Sequence, residues 1–520
     1  MNIKIETTFT QLKKQQLINI VWWGVFFLGV ILRLRQYLTN RSLWVDEASL
    51  ALNIIERSFG SLTLPLDYDQ GAPVGFLFIQ ELLVLIFGNS EYILRLFPLI
   101  SGILALYLIF RVAKDYFGDF AVFAVFLFAI SVPMIYYSSE LKQYSTDVMV
   151  SLLLVYLALL CLKEGENTQT FLVLGLLGAI SILLSHPSAF TLLVIGLLLF
   201  IDKYLQKDYA RFRWLIGIGV FWIAVFLGTY LISLRYLIGN QNLQDYWGNS
   251  YAPFPPWEHL DWYKNVFVVL LPHISPSFLR DIFPGFSEKY LVFGALLLAF
   301  VGMQSLFFRN YKMAVIFIAP FLVAFIASGL NRYPMSDRFL YFWLPSLFLL
   351  MGEGLWRLYA ILSKYNRVAA WIAYGTIVLI FLWSPIQYAN ANFWKPQMGE
   401  DIKPVLGYVR DHLQEGDIVY VHNGSVTPFL YYETSYGLDT ADTFVAMKSW
   451  NVKRFIVDVE DFKGDERVWF VFSHVVSCDC EGNTREDRVQ AHVNILDQYG
   501  IQLDHFSATN AVVYLYDLNP

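Results

Sequence analysis

Two acids stand side by side, Asp46 and Glu47, just after the first apolar run long enough to cross a membrane, in the string Arg41-Ser-Leu-Trp-Val-Asp46-Glu47-Ala. Carboxylates close to a bilayer are costly to desolvate, and where they occur they usually have a task. Beside a lipid-borne substrate, a carboxylate can take the proton of an acceptor hydroxyl or amine. The bland alternative is that Asp46 starts a helix over 48–57, because acids are favoured at the positive end of the backbone dipole. Both readings can hold together, since a helix start also fixes the carboxylate. A second acidic site is Ser138-Ser-Glu140-Leu-Lys142-Gln-Tyr144-Ser-Thr-Asp147. There Glu140 or Asp147 could orient an acceptor or coordinate a divalent cation while Asp46 acts as base. Asp147 also opens an apolar run, so a helix-start role competes with the functional one. A third site is Asn331-Arg-Tyr-Pro-Met-Ser-Asp337-Arg338-Phe-Leu-Tyr341. A guanidinium at the mouth of a span can hold a phosphate through two parallel hydrogen bonds, or reach for lipid headgroups. His186, between two apolar runs and ahead of Pro187, is a lesser candidate. No zinc-type spacing and no Ser/His/Asp set stands out, so any metal is unknown and no cofactor is implied beyond that optional cation.

The elements that must position these residues are membrane helices. The chain has 520 residues, 57% hydrophobic and 15% charged, with a mean hydropathy of +0.48. An ordinary soluble protein carries about 25% charged residues. Aromatics reach 18%, part of them expected in belts at the membrane surface. Spans need about 20 apolar residues, with about 17 sufficient. Eleven are expected: 19–38, 92–112, 119–138, 147–163, 170–186, 187–203, 214–235, 290–308, 312–330, 339–358 and 368–387. Segment 73–88 is short and carries Gln80 and Glu81, so it is expected to lie in the interface.

Charge sets the expected orientation. With the N-terminus in the cytoplasm, the clusters Arg111/Lys114, Lys163, Lys203/Lys207/Arg211/Arg213, Arg309/Lys312 and Arg357/Lys364/Arg367 all fall on the cytoplasmic side. Counting 73–88 as a span would put them outside. The exceptions are Arg33, Arg35 and Arg41 at the outer end of the first span, where they are available to an anionic ligand. The three acidic and basic sites then share the outer face. So does a long loop over 236–289, rich in Trp, Pro and Tyr, which either covers a cavity or forms an aromatic belt.

Composition changes near 390. Residues 391–520 hold 20 Asp+Glu and 10 Lys+Arg, against 23 and 27 in 1–390. The expected organisation is an all-α polytopic membrane bundle over 1–390 and a small soluble α/β domain over 391–520. An amphipathic helix is expected at 402–413, with strands at 417–422, 468–472 and 511–516. Cys161, Cys478 and Cys480 form no disulfide framework, because a Cys-Asp-Cys bridge would be badly strained. No cleavable leader is expected, since Lys4, Lys13 and Lys14 precede an apolar segment without a small-residue cleavage site.

Leu43-Trp-Val-Asp46-Glu47-Ala resembles the first-loop acidic motif of GT-C membrane glycosyltransferases. The pattern that follows strengthens the resemblance: Gly71-Ala-Pro73-Val-Gly, Phe87-Gly-Asn-Ser-Glu91-Tyr-Ile-Leu-Arg95-Leu-Phe-Pro98, then Tyr136-Tyr-Ser-Ser-Glu140-Leu-Lys142-Gln-Tyr144. The pattern is similar to the bacterial branch related to protein O-mannosyltransferases and lipid A aminoarabinose transferases, over about 1–200 and again at 337–345. The resemblance implies the GT-C bundle, with interfacial helices in the first outer loop. It also implies a polyprenyl-phosphate sugar donor in the plasma membrane, an extracytoplasmic glycan, lipid or protein acceptor, and inversion at the anomeric carbon. Asp46 then matches the catalytic base, Glu47 its partner, and Asp147 or Glu140 the second-loop acid. Arg338, Lys142, Arg41 and Tyr144 are donor-phosphate candidates, on physical grounds more than on motif, and His186 and Tyr341 are other candidates for the site. Where the aminoarabinose branch has a Lys after a Glu, this chain has Asp69-Gln70, so its phosphate contacts are expected to differ.

Two other classes stay open. A transporter or flippase of lipid-linked glycans would carry charges inside spans and repeated halves; the spans are nearly free of acids away from their ends, and no repeat is visible. A glycan ligase using diphosphate donors would rely on bases in a late loop, which His259 and His273 permit. Membrane lipid is an expected partner; nucleic acid is not.

Overall fold

The computed structural model describes residues 2–163, 167–271, 287–439, 442–445, 452–475 and 485–519. His273, Cys478 and Cys480 lie outside the described residues. Helices run in the order α1 (Asn2–Tyr37), α2 (Val45–Glu56), α3 (Val74–Phe87), α4 (Glu91–Val112), α5 (Val122–Ile130), α6 (Val132–Tyr136), α7 (Tyr144–Cys161), α8 (Thr168–Leu184), α9 (Ser188–Leu205) and α10 (Tyr209–Thr229). Short helices α11 (Arg235–Gly239) and α12 (Gln241–Tyr246) lead to α13 (Leu260–Leu270), α14 (Glu288–Gly329), α15 (Leu344–Leu362) and α16 (Arg367–Trp394).

Among the described residues, eight helices are long and apolar enough to cross a membrane, or nine if one bent pair is a single span. The chain is a multi-pass membrane protein. Three local features separate these numbers from the eleven apolar runs. The run 119–138 is broken at Ser131, ahead of Pro133, into two helices bent by 58°. Helix α8 has 17 residues. The runs 290–308 and 312–330 form α14, whose backbone leaves helical geometry at Asn310 (φ −159°, ψ 92°). Helix α3, 14 residues long, occupies the segment expected at the interface, with Leu82, Leu85, Ile86 and Phe87 exposed.

Backbones approach closely where the bundle is tightest. A Cβ on Gly302 would sit 1.9 Å from the Leu350 carbonyl oxygen, and one on Gly354 1.9 Å from that of Leu298. Only glycine fits this crossing of α14 and α15. Arg33 answers the break in the 119–138 helix. Its buried guanidinium donates to the carbonyls of Phe128 (3.3 Å), Ala129 (3.2 Å) and Gly29 (3.0 Å). The first two are helix-end carbonyls that the break leaves without intrahelical donors. Arg33 is thus a structural cation here, and Arg35 donates to Thr39 (3.4 Å).

The C-terminal region forms a five-stranded sheet, in the order β2-β1-β3-β5-β4. Its strands are β1 (Ile418–Val421), β2 (Asp442–Val445), β3 (Val468–Ser473), β4 (Ile501–Ala508) and β5 (Ala511–Asp517). β1 pairs in parallel with β2 and β3, and β5 pairs antiparallel with β3 and β4. Helices α17 (Ile402–His412), α18 (Val426–Tyr436), α19 (Val452–Glu460) and α20 (Arg485–Tyr499) complete the region. One apolar cluster joins Leu43, Ala48, Leu50 and Phe76 to Val405, Phe429, Trp469 and Val471, and α18 packs on α2. Polar contacts fix the seam. Ser42 donates to Asp401 (2.5 Å), Leu43 N–H to the Tyr432 hydroxyl (2.9 Å), and Lys403 to Glu91 (2.9 Å).

Candidate functional site

A cavity of about 540 Å³ opens beside the start of α2. Asp46, Lys142, Tyr144, His186 and Arg338 line it, joined by Trp247 and, from the C-terminal region, His474. Leu234, Leu237 and Ile238 supply apolar wall. The three sites read from the sequence therefore converge on one space, each through a different element. Trp44, extended (ψ 172°), precedes α2 and places Asp46 in its first turn. The turn ahead of α7 delivers Lys142. The segment between α14 and α15 delivers Arg338.

Asp46 is the centre of the polar floor. Its Oδ2 lies 3.3 Å from Arg338 Nη1 and 4.0 Å from Lys142 Nζ. Burial pushes the Asp46 carboxyl up, but Lys142, Arg338, His474 and a hydrogen bond from Gln70 outweigh it, and its pKa is lowered. Burial lowers the pKa of Lys142, against the pull of Asp46. Lys142 also donates to Gln70 Oε1 (2.6 Å), the residue standing where a Lys would crowd it with a second positive charge. The Arg338 guanidinium lies over the rings of Trp247 (5.2 Å) and Tyr144 (5.5 Å). Aromatic faces hold the cation in place without neutralising it.

Glu47, Glu140 and Arg41 do not line the cavity; they form a buried network behind its floor. Glu47 accepts from Arg95 through both oxygens (2.8 and 2.6 Å) and from Leu141 N–H (2.7 Å). Arg41 lies 3.5 Å from Glu47 and 3.7 Å from Glu140, and donates to the Ser139 carbonyl (2.6 Å). Burial raises the Glu47 carboxyl, yet Arg95 and Arg41 outweigh it and the net direction is down. Glu140, buried and next to the Glu47 charge, is pushed up to about 7. Asp147 sits buried in the first turn of α7 and Tyr341 packs against Tyr137 (5.2 Å); neither lines the cavity.

Among the described residues, no group of three or more His, Cys, Asp and Glu side chains gathers as a metal site. Asp46 pairs with Arg338 and Lys142, and the other acid of the lining, Asp69, accepts from Asn240 and Asn242, so this donor set does not fit a divalent ion.

Sequence reasoning did not find His474, Gln70 or Arg95 as site residues. Arg95 left a signal, because an Arg inside an apolar run needs a buried partner. His474 left none, since its approach to Asp46 exists only after the C-terminal sheet folds. Trp247 was visible as part of an aromatic loop with two readings; it covers the cavity.

Residues 71–234 match the family described as dolichyl-phosphate-mannose-protein mannosyltransferase. No curated protein matches the sequence. Among solved structures, ArnT from Cupriavidus metallidurans in the apo state has a TM-score of 0.51 at 14% identity, over 97% of this chain and 98% of ArnT. ArnT bound to undecaprenyl phosphate scores 0.50 over the same shares. The oligosaccharyltransferase AglB from Archaeoglobus fulgidus, in complex with an inhibitory peptide and a dolichol-phosphate, scores 0.51 at 12% identity, over 96% of this chain and 74% of AglB. At such identities the likeness is one of fold. The family match covers 71–234 and the structural likeness is one of fold, so the chain is similar in architecture to these membrane glycosyltransferases.

Proposed function

We propose that the protein transfers a sugar from a polyprenyl-phosphate donor to an acceptor outside the cytoplasmic membrane, with inversion. One observation carries this: Asp46 shares a cavity with Arg338 and Lys142, both near the same carboxylate oxygen. Lys142, Arg332 and Arg338 against Asp46 and Asp69 leave a positive excess on the lining that suits a phosphate. The acceptor hydroxyl or amine attacks the anomeric carbon opposite the phosphate, and its proton passes to Asp46. The bond from the anomeric carbon to the phosphate oxygen breaks, and the charge growing on that oxygen meets Arg338 and Lys142. The buried Glu47–Arg95 pair holds Asp46 in place from the adjacent position. Structural neighbours that bind undecaprenyl phosphate and dolichol-phosphate support the lipid carrier.

We place the protein in the plasma membrane, with the N-terminus cytoplasmic and the C-terminal sheet outside. Positive-inside asymmetry supports this. Lys203 and Lys312, from two loops read as cytoplasmic, meet at one acid, Asp202. The test is transfer of radiolabelled mannose from a polyprenyl phosphate by the purified full chain. Asp46→Asn should lose about 10²–10⁴ of the rate. Near-full activity in a normally folded Asp46→Asn protein rejects the assignment.

A further inference from the structure

His474 follows β3 directly, at the carboxyl end of a strand whose neighbour β1 runs parallel to it. In α/β sheets that end is where ligands are bound. Here it reaches the cavity of the membrane bundle. Three features fix the side chain. Its Nδ1 lies 2.5 Å from Oε1 of Glu400, a buried carboxylate. Its ring stacks on Trp44, two residues before Asp46, with centroids 6.3 Å apart and planes 26° from parallel. Its backbone is left-handed (φ 54°), a conformation uncommon outside glycine, although Asn, Asp and His adopt it more often than other residues. Left-handed backbone at a non-glycine residue in a cavity wall marks a position held by its surroundings.

We propose that His474 is an acceptor-contacting residue. Held by Glu400 and backed by Trp44, its imidazole hydrogen-bonds the nucleophilic hydroxyl or amine and sets it against Asp46. Arg338 and Lys142 face the donor phosphate, so the C-terminal region supplies the acceptor half of the site. This rests on the glycosyl-transfer reading above and assigns the acceptor side of the same cavity.

The test uses the full chain in lipid nanodiscs and three variants: His474→Asn, Glu400→Gln and Asp46→Asn. Asn tolerates the left-handed backbone, so the first should fold, and thermal unfolding checks it. Two quantities are read: binding of undecaprenyl phosphate, and transfer from polyprenyl-phosphate mannose to a titrated envelope glycolipid extract. In His474→Asn, undecaprenyl phosphate binding should stay within about twofold, while transfer falls about tenfold, with the half-saturating extract concentration raised. Glu400→Gln keeps the imidazole and should fall by less. Unchanged transfer in His474→Asn, beside lost transfer in Asp46→Asn, overturns this inference alone. Weakened undecaprenyl phosphate binding in His474→Asn also overturns it, by moving the residue to the donor side. No transfer by the unaltered chain, or full transfer in Asp46→Asn, overturns the underlying reading instead.

Discussion

The cavity floor and the ion network just behind it are built from the same residue types with opposite results. On the floor, Asp46 faces Arg338 and Lys142 at 3.3 and 4.0 Å, partly open to the cavity. Behind it, Glu47 is closed off and satisfied by Arg95 and by a backbone N–H. Neighbours in sequence thus point to different jobs. On the proposed reading, the floor cations that face the cavity meet a phosphate. Tight pairing makes the network a support for the loop.

The sharpest way to break this comparison is Asp46→Asn, which should abolish transfer by about 10²–10⁴ while leaving the unfolding temperature nearly unchanged. Arg95→Ala should do the reverse. It strands the buried Glu47 charge, and breaking such a pair costs about 3–5 kcal/mol. The expected result is poorly folded protein, seen as a large fall in thermal stability. Equal effects on fold and activity from both variants would erase the distinction.

Glu140 gives a pH test of the network. Its folded pKa, pushed up to about 7, lies above the usual range for a free glutamate. The folded state therefore binds this proton more tightly. The resulting stability is fully present at acid pH and is lost as pH rises through about 7. Glu140→Gln should flatten the dependence of the unfolding temperature on pH across that window. An unchanged pH dependence would remove Glu140 from the network. The smallest effect expected is at the seam with the C-terminal region. Tyr432→Phe deletes one acceptor for Leu43 N–H and one donor to Glu91, and should cost about 1 kcal/mol by thermal unfolding.

Much of the membrane bundle was legible because apolar length alone marks a span. What was not legible is how a run is interrupted. Composition reads 119–138 as continuous, yet Pro133 and the turn at Ser131 divide it. In the C-terminal region, β1, β3 and β5 were visible as apolar runs buried in the sheet. β4 was not, because as an edge strand it is largely exposed, and β2 lies at the opposite edge of the sheet. Asp46, Lys142, Tyr144, His186 and Arg338 were chosen from charge or position near span ends, and they meet at the cavity. Arg41 was chosen on the same grounds but turns inward, because Glu47 and Glu140 lie behind the loop rather than in it. Which way a side chain faces in a buried loop is a tertiary property with no periodicity to betray it.

The bridge from Arg33 to the carbonyls of Phe128 and Ala129 ties the opening helix to the broken one. The loop bearing Asp46 continues from the first, and the turn bearing Lys142 continues from the second. Two side chains of the cavity lining, Asp46 and Lys142, therefore sit on one clamped body.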